Sequence, residues 1–256
     1  GPKTILHIYE PAIGLKAIAV VDNTAAGAAI GGVRMAPDVS LDECFRLARG
    51  MTLKNAAAGL PHGGGKSVIF ADPTMEPSAK EQLIRAFARS VKQLTDYIPG
   101  PDMGTNEAAM ALVQDEGGRC VGLPRVLGGI PLDEIGATAW GVVVSTDVAK
   151  DLVGMKIDGA RVAMQGFGAV GKHAARFFAD RGAVLVAAAD YSGAVHDADG
   201  LDVEALARHV EAGGRIADFT EGERLNREAI ISVDCDILVP AARPDVIRAD
   251  NQATVK

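Results

Sequence analysis

The stretch Arg161-Val162-Ala163-Met164-Gln165-Gly166-Phe167-Gly168-Ala169-Val170-Gly171 decides the fold of the second half of the chain. Arg161 to Gln165 reads as a short core strand, and the residues after Gly168 read as a helix running to about Arg181. Between them the glycines follow the spacing G-x-G-x-x-G, which permits a tight turn and the approach of a pyrophosphate to the helix N-terminus. A second strand, Ala183 to Ala189, ends at Asp190, which lies 19 residues after Gly171, close to the ~20 expected of a dinucleotide site. The turn residues Gly166, Phe167, Gly168, Ala169, Val170 and Gly171 are therefore expected to hold a dinucleotide, with Asp190 accepting hydrogen bonds from ribose hydroxyls. A ribose phosphate would be repelled by Asp190. No Lys or Arg stands between Gly182 and Ala207 to offset that repulsion, so NAD is expected over NADP. The alternative, a tight turn that binds nothing, fits the local context and the spacing less well.

Working outward, Cys235 to Val239 is another core strand, ending at Pro240-Ala241-Ala242. A long helix, Ala137 to Leu152, precedes the quoted stretch, and the Gly- and Pro-rich residues 117–136 read as a linker. The expected organisation is two domains, 1–130 and 131–256. In the first half, Lys16 to Val21 and Ser67 to Ala71 read as strands, and Ser78 to Leu94 as a helix. Ser40-Leu41-Asp42-Glu43 fits a capping box. Behind it Cys44, Leu47, Ala48, Met51 and Asn55 share one helical face, with Lys54 at its edge.

Gly63-Gly64-Gly65-Lys66 carries the chemistry of the first half. The glycines are expected to let the backbone close around a small ligand. A lysine pressed there against apolar surface loses its proton more readily than one in water. Lys54 and Lys66 in different environments can divide anion binding from acid–base work. Read singly, Lys54 is a helix-surface lysine and Lys66 a solvated strand entry; their joint setting favours the functional reading. Asp102, in Gly100-Pro101-Asp102-Met103-Gly104-Thr105, is either a helix cap or a proton carrier. His62 reads as structural, and the other histidines are too scattered for a metal site.

Composition sets the frame. The 256 residues are 48% hydrophobic and 23% charged, ordinary for a folded α/β protein, and only 4% aromatic, so the cores rest on Ala, Val, Leu and Ile. A net charge of −7 with no basic block argues against nucleic acid and anionic membrane as partners. Cys44, Cys120 and Cys235 form neither a disulfide nor a metal pattern. With no leader pattern and no long apolar run, a reducing cytoplasm is the expected setting.

Taken together, these motifs resemble the glutamate/leucine/phenylalanine/valine dehydrogenase family. The resemblance lies in Leu60 to Pro73, which carries the lysine signature, and in Gly31-Gly32-Val33-Arg34, Met51-Thr52-Leu53-Lys54, Pro101-Asp102-Met103-Gly104-Thr105, Ala137-Thr138-Ala139-Trp140-Gly141 and Asp236 to Ala242, all in the family's order. It implies an N-terminal α/β substrate and oligomerisation domain, a C-terminal Rossmann-like dinucleotide-binding domain and a catalytic cleft between them. It also implies that the C-terminal portion of the family is missing beyond Lys256. The implied reaction is NAD-dependent reversible oxidative deamination of an L-amino acid to a 2-oxo acid and ammonia, in a homo-oligomer such as a hexamer or octamer. Lys66 would activate water, Asp102 would shuttle protons to the substrate amine, and Lys54 would bind its carboxylate. Gly31, Gly32, Ile30 and Met51 would line the substrate site. Thr138, Ala241 and Ala242 would meet the nicotinamide end of the cofactor. Glutamate-specific members place a lysine where Ile30 stands, so an apolar substrate (leucine, valine or phenylalanine) is expected. Gly32-Val33-Arg34 and Gly100-Pro101-Asp102 look more like the glutamate branch, so glutamate is the alternative. Two further alternatives are a silent NAD-binding homologue and a hydroxy-acid oxidoreductase, whose usual catalytic histidine or Ser/Tyr–Lys pair does not stand out in this sequence.

Overall fold

The structure is a computed structural model that describes all 256 residues, in two compact units, Gly1–Pro131 and Leu132–Lys256. In the first, β1 (Thr4–Glu10), β2 (Leu15–Asn23), β3 (Ala29–Met35), α1 (Leu41–Ala57), β4 (Gly63–Ile69), α2 (Pro77–Val91), β5 (Tyr97–Pro101) and α3 (Glu107–Asp115) follow in order. The strands form one sheet in the order β1-β2-β4-β3-β5. Strand β2 runs antiparallel to both β1 and β4, whereas β3 runs parallel to β4 and β5.

The period-2 alternation of β2 divides the two faces. Ala17, Ala19 and Val21 pack with Leu83, Ile84, Phe87 and Val91 of α2 and Met110 and Val113 of α3. Ile18 and Val20 point the other way and pack with Val68 and with Cys44 and Ala48 of α1. Helix α1 begins at Ser40, whose Oγ accepts the Glu43 N–H at 3.1 Å. Only this half of the expected capping box forms, because the Glu43 side chain goes to Arg34 instead.

The strand expected from Ser67 already begins at Gly63, so the glycine run is the first half of β4, every residue of which is buried. It does not wrap a ligand: neighbouring protein occupies the space its side chains would take. An added Cβ at Gly63 would sit 1.7 Å from the Asn23 carbonyl oxygen, one at Gly64 2.0 Å from the Thr52 amide, and one at Gly65 2.8 Å from the Tyr97 ring. Strand β3 went unpredicted because Gly31 and Gly32 remove its alternation. Gly31 is forced by the same crowding, since its Cβ would lie 1.6 Å from the Gly65 carbonyl oxygen.

The second unit contains α4 (Ala137–Ala149), β6 (Arg161–Gln165), α5 (Ala169–Ala179), β7 (Val184–Ala189), β8 (Ala194–His196), α6 (Val203–Glu211), β9 (Glu223–Leu225) and β10 (Ile237–Pro240). Its sheet order is β10-β6-β7-β8-β9. β10, β6 and β7 are parallel, and β8 and β9 continue the sheet as antiparallel neighbours. Ala139, Val143, Ala174, Phe178, Leu206 and Ala207 of α4, α5 and α6 bury one face. Ile230, Ile231 and Val233 cover part of the other. No helix is long and apolar enough to cross a membrane.

Crowding predicts opposite outcomes for two glycines. Gly31→Ala drives a methyl into the β4 backbone and should destabilise the fold by about 1–3 kcal/mol or more. Gly50→Ala, in the α1 interior with nothing within 4 Å of the new methyl, should stabilise it by about 1 kcal/mol. Denaturant unfolding of the two variants beside wild type checks both signs.

Candidate active site

The register of β3, β4 and β5 assembles the site of the first unit. Ile30 pairs with Gly64 and with Ile98, and Gly32 with Gly100. Residues of the same parity share a face, so Ile30, Gly32 and Arg34 of β3 lie on the α1 side with Gly64, Lys66 and Val68 of β4. Gly32 leaves an open lane between Lys66 and the residue after β5, Asp102. Its Cβ would lie 2.7 Å from the Asp102 Cβ. Across that lane Lys66 Nζ makes a close ion pair with Asp102 Oδ2. Arg34 Nε reaches the same oxygen at 3.2 Å, and Arg34 Nη1 holds Glu43 Oε1 at 2.6 Å. The Thr105 hydroxyl fixes the turn by accepting the Asp102 N–H at 3.0 Å and donating to the Val33 carbonyl at 2.7 Å.

Burial pushes the Lys66 ammonium below the ordinary lysine value; Asp102 opposes that shift and Arg34 adds to it. Burial also works against the Asp102 carboxylate. The positive charges of Lys66 and Arg34, the Lys66 hydrogen bond and the Met103 N–H outweigh it and hold the carboxyl below its usual value. Lys66 is only 5% exposed. The arrangement pairs an anion held by two cations with a lysine whose burial favours its neutral form, the kind of pair that proton transfer uses.

The other candidates of this unit stand nearby on α1 or at its edge. Met51 is half-buried and Lys54 exposed, together with Leu53, Ala56 and Ala57, so this helix end is open. Asn55 is buried and donates from Nδ2 to the Gly63 carbonyl at 2.7 Å, tying α1 to β4. His62 Nδ1 lies 3.1 Å from the Ala28 carbonyl oxygen, a structural contact. The sequence reading gave no role to Arg34, and gave Glu43 only that of a helix cap. The signal was present in the parity of β3, which puts Arg34 on the face of Gly32.

In the second unit the three turn glycines differ in environment. Gly166 has φ +98° and packs so closely on Ala242 that its Cβ would lie 2.7 Å from that residue's amide nitrogen. Gly171 would place a Cβ 1.8 Å from the Gly166 carbonyl oxygen. Gly168, the N-cap of α5, has nothing within 4 Å of a Cβ and makes no side-chain cap bond. One glycine makes the turn, one seats helix on strand, and one leaves the first amides of α5 open to an anion. The site lies where the chain leaves β6 for β7 on one side and later returns as β10 on the other, the switch point at which open α/β sheets bind ligands. Ala241 N donates to the Gln165 carbonyl at 2.7 Å, so Ala241 and Ala242 stand at the turn. The residues present therefore fit a dinucleotide.

Other details depart from expectation. The Phe167 ring belongs to the core, at 2% exposure, so only its backbone can serve a ligand. Asp190 is already engaged: Oδ1 accepts from the Ser192 amide at 2.6 Å and from the Ser192 hydroxyl at 2.5 Å, and Oδ2 accepts from the Ile216 amide at 3.1 Å. These bonds set its direction and leave Oδ2 the oxygen with room for a further donor. Val170 is partly buried, Ala169 exposed, and Thr138 exposed in the first turn of α4.

A Rossmann-like unit beside an α/β unit with a buried Lys–Asp pair defines the class as a two-domain α/β dehydrogenase fold. The family model described as Glutamate/Leucine/Phenylalanine/Valine dehydrogenase matches residues 128–256, and the Glu/Leu/Phe/Val dehydrogenase dimerisation domain matches residues 7–118. The chain belongs to this family. It is 38% identical over 247 residues to a NAD-specific glutamate dehydrogenase of Staphylococcus aureus, an alignment that covers 91% of this chain and 59% of that protein. Among solved structures, the hetero-hexameric glutamate dehydrogenase of Thermus thermophilus, in a Leu-bound form, superposes with a TM-score of 0.87 at 29% identity, over 100% of this chain and 65% of that one. The L-tryptophan dehydrogenase of Nostoc punctiforme gives a TM-score of 0.59 at 25% identity, over 100% and 68%. The chain thus spans about three fifths of the curated relative's length.

Asp102→Asn should cost about 3 kcal/mol of stability at neutral pH, because it leaves the buried Lys66 ammonium without its anion and Arg34 with Glu43 alone. The lowered Lys66 value fixes the pH dependence. As pH rises through it, the wild-type lysine goes neutral and the ion pair fades, so the gap between wild type and variant should narrow. Unfolding free energies of both proteins at neutral and strongly alkaline pH measure that narrowing.

Proposed function

We propose that this protein catalyses the NAD-dependent reversible oxidative deamination of an L-amino acid to a 2-oxo acid and ammonia. The observation that carries this reading is the buried Lys66–Asp102 pair laid across Gly32. When bound, NAD supplies the hydride acceptor. The protein's own residues do the rest. Lys54, a cation exposed on α1, takes the substrate α-carboxylate. Asp102 accepts a proton from the substrate amine and later returns one. Lys66 removes the proton from the water that attacks the imino acid, a task its burial suits by favouring the neutral amine. Gly166 to Gly171 hold the pyrophosphate on the open amides of α5, Asp190 holds the ribose, and Thr138, Ala241 and Ala242 border the nicotinamide end. The name of the Staphylococcus relative supports NAD as cofactor. The family description of residues 7–118 as a dimerisation domain supports a homo-oligomer built through the first unit.

Ile30 lies on the Lys66 face of β3. A substrate side-chain carboxylate set against it without a cation would lose about 2–5 kcal/mol, so we assign an apolar amino acid as substrate. The second reading is glutamate, favoured by the names of the Staphylococcus and Thermus relatives.

NADH formation across a panel of L-amino acids at alkaline pH tests both readings. Turnover with leucine, valine or phenylalanine and not glutamate supports the apolar assignment, and the reverse selects glutamate. Lys66→Ala should reduce turnover at least a thousandfold while NADH binding, followed by fluorescence, persists; near-wild-type turnover would remove Lys66 from the mechanism. For cofactor choice, kcat/KM should favour NAD over NADP. Asp190→Asn, which keeps an acceptor for the Ser192 amide, should narrow that ratio roughly tenfold by removing the repulsive charge.

A further inference from the structure

Glu43 occupies the third position of α1, where its carboxylate would ordinarily reach back to the Ser40 amide. It turns away and binds Arg34 at 2.6 Å instead. Arg34 Nε in turn meets Asp102 Oδ2 at 3.2 Å, on the oxygen that also receives Lys66. The side chains of Arg34, Glu43 and Asp102 are 10%, 18% and 20% exposed, so water screens the row weakly. Along it the charges alternate: Lys66 positive, Asp102 negative, Arg34 positive, Glu43 negative.

The chemistry assigned above creates a problem that this row solves. A lysine acting as a base must pass through its neutral form, and a neutral amine no longer balances Asp102. Arginine stays protonated at any pH a protein survives. We propose that Arg34, braced by Glu43, is a positioning residue that keeps Asp102 seated, and favours its ionised form between proton transfers, while Lys66 cycles between charged and neutral forms. The inference rests on the amino-acid dehydrogenase reading for its catalytic consequence, though not for its electrostatics.

The groups facing Lys66 are few. From the end of β5 comes Asp102 and from β3 Arg34. From α1 come Glu43 and Cys44, whose thiol donates to the Lys66 carbonyl at 3.4 Å and whose pKa is pushed up to about 12, so it stays neutral. From β2, Val20 stands opposite Lys66 in the register, and further along the same strand the buried Asp22 accepts from the Thr52 hydroxyl at 2.6 Å and pairs with Arg49 at 3.3 Å. The signs follow directly. Removing the Arg34 charge takes a cation from beside Lys66 and Asp102, so both hold protons more tightly and titrate at higher pH. Removing the Glu43 charge leaves Arg34 less neutralised, so both titrate at lower pH.

The test compares Arg34→Gln, Arg34→Lys and Glu43→Gln with wild type by two readouts. One is the titration of Lys66 by 13C NMR of lysine labelled at Cε, with the resonance assigned by its loss in Lys66→Arg. The other is the pH profile of kcat/KM with NAD and the best amino acid. Arg34→Gln should move the Lys66 titration and the acid limb of the profile upward by about half a unit or more and lower kcat roughly tenfold or more, with little change in KM. Glu43→Gln should move both downward. Arg34→Lys should restore the titration but not the full kcat, because one ammonium cannot hold both carboxylates in the geometry of a guanidinium fork. An unchanged Lys66 titration in Arg34→Gln and Glu43→Gln overturns the proposal, whatever their stability. If Arg34→Gln does not fold, Glu43→Gln and Arg34→Lys decide by the same readouts. If wild type turns over no amino acid while the titrations still move in opposite directions, the dehydrogenase reading fails and the electrostatic role of Arg34 stands.

Discussion

The first unit depends on close backbone contact at the middle of its sheet. Gly31 lies against the Gly65 carbonyl, Gly64 admits the backbone of α1 at Thr52, and Gly65 lies on the Tyr97 ring. Any side chain at these positions would force the elements apart. The closeness has a polar side as well: Tyr97 donates to the Gly31 carbonyl at 3.0 Å and accepts from Ser67 at 2.9 Å, so the buried hydroxyls are paired. On the α1 face the missing side chain of Gly32 opens the lane through which Lys66 reaches Asp102. The same absence of Cβ atoms packs the core and makes room for the ion pair.

The second unit uses glycine under the same constraint with a different division of labour. Gly166 and Gly171 are fixed by protein contacts, with Ala242 and with the turn itself, while Gly168 is fixed by none. The open space thus lies at the helix N-terminus, beside two positions where space is fully used. The Asp190 carboxylate is likewise set by its neighbours, the Ser192 and Ile216 amides and the Ser192 hydroxyl.

Much of this was legible in the sequence. The strand, glycine turn and helix from Arg161 onward read correctly because the motif is local. Each glycine acts within a few residues of its neighbours, and the apolar run on either side is unbroken. The buried face of α1, with Cys44, Ala48 and Asn55, was visible for the same reason. Strand β3 was not legible, because two adjacent glycines erase the alternation that identifies a strand. The function of the triple glycine was misread for a related reason. A glycine in sequence says that a side chain is absent, not whether a ligand or another strand fills the place.

The sequence by itself determined the division into two α/β halves, the dinucleotide-type turn and the glycine-rich settings of Lys66 and Asp102, because periodicity and short-range spacing are carried by the chain alone. The tertiary structure decided which groups meet. Lys66 finds Asp102 across Gly32, Glu43 leaves its own helix cap for Arg34, and Ala242 closes on Gly166. Each of these contacts joins residues from different elements, and only the register of strands and the seating of α1 bring them within reach.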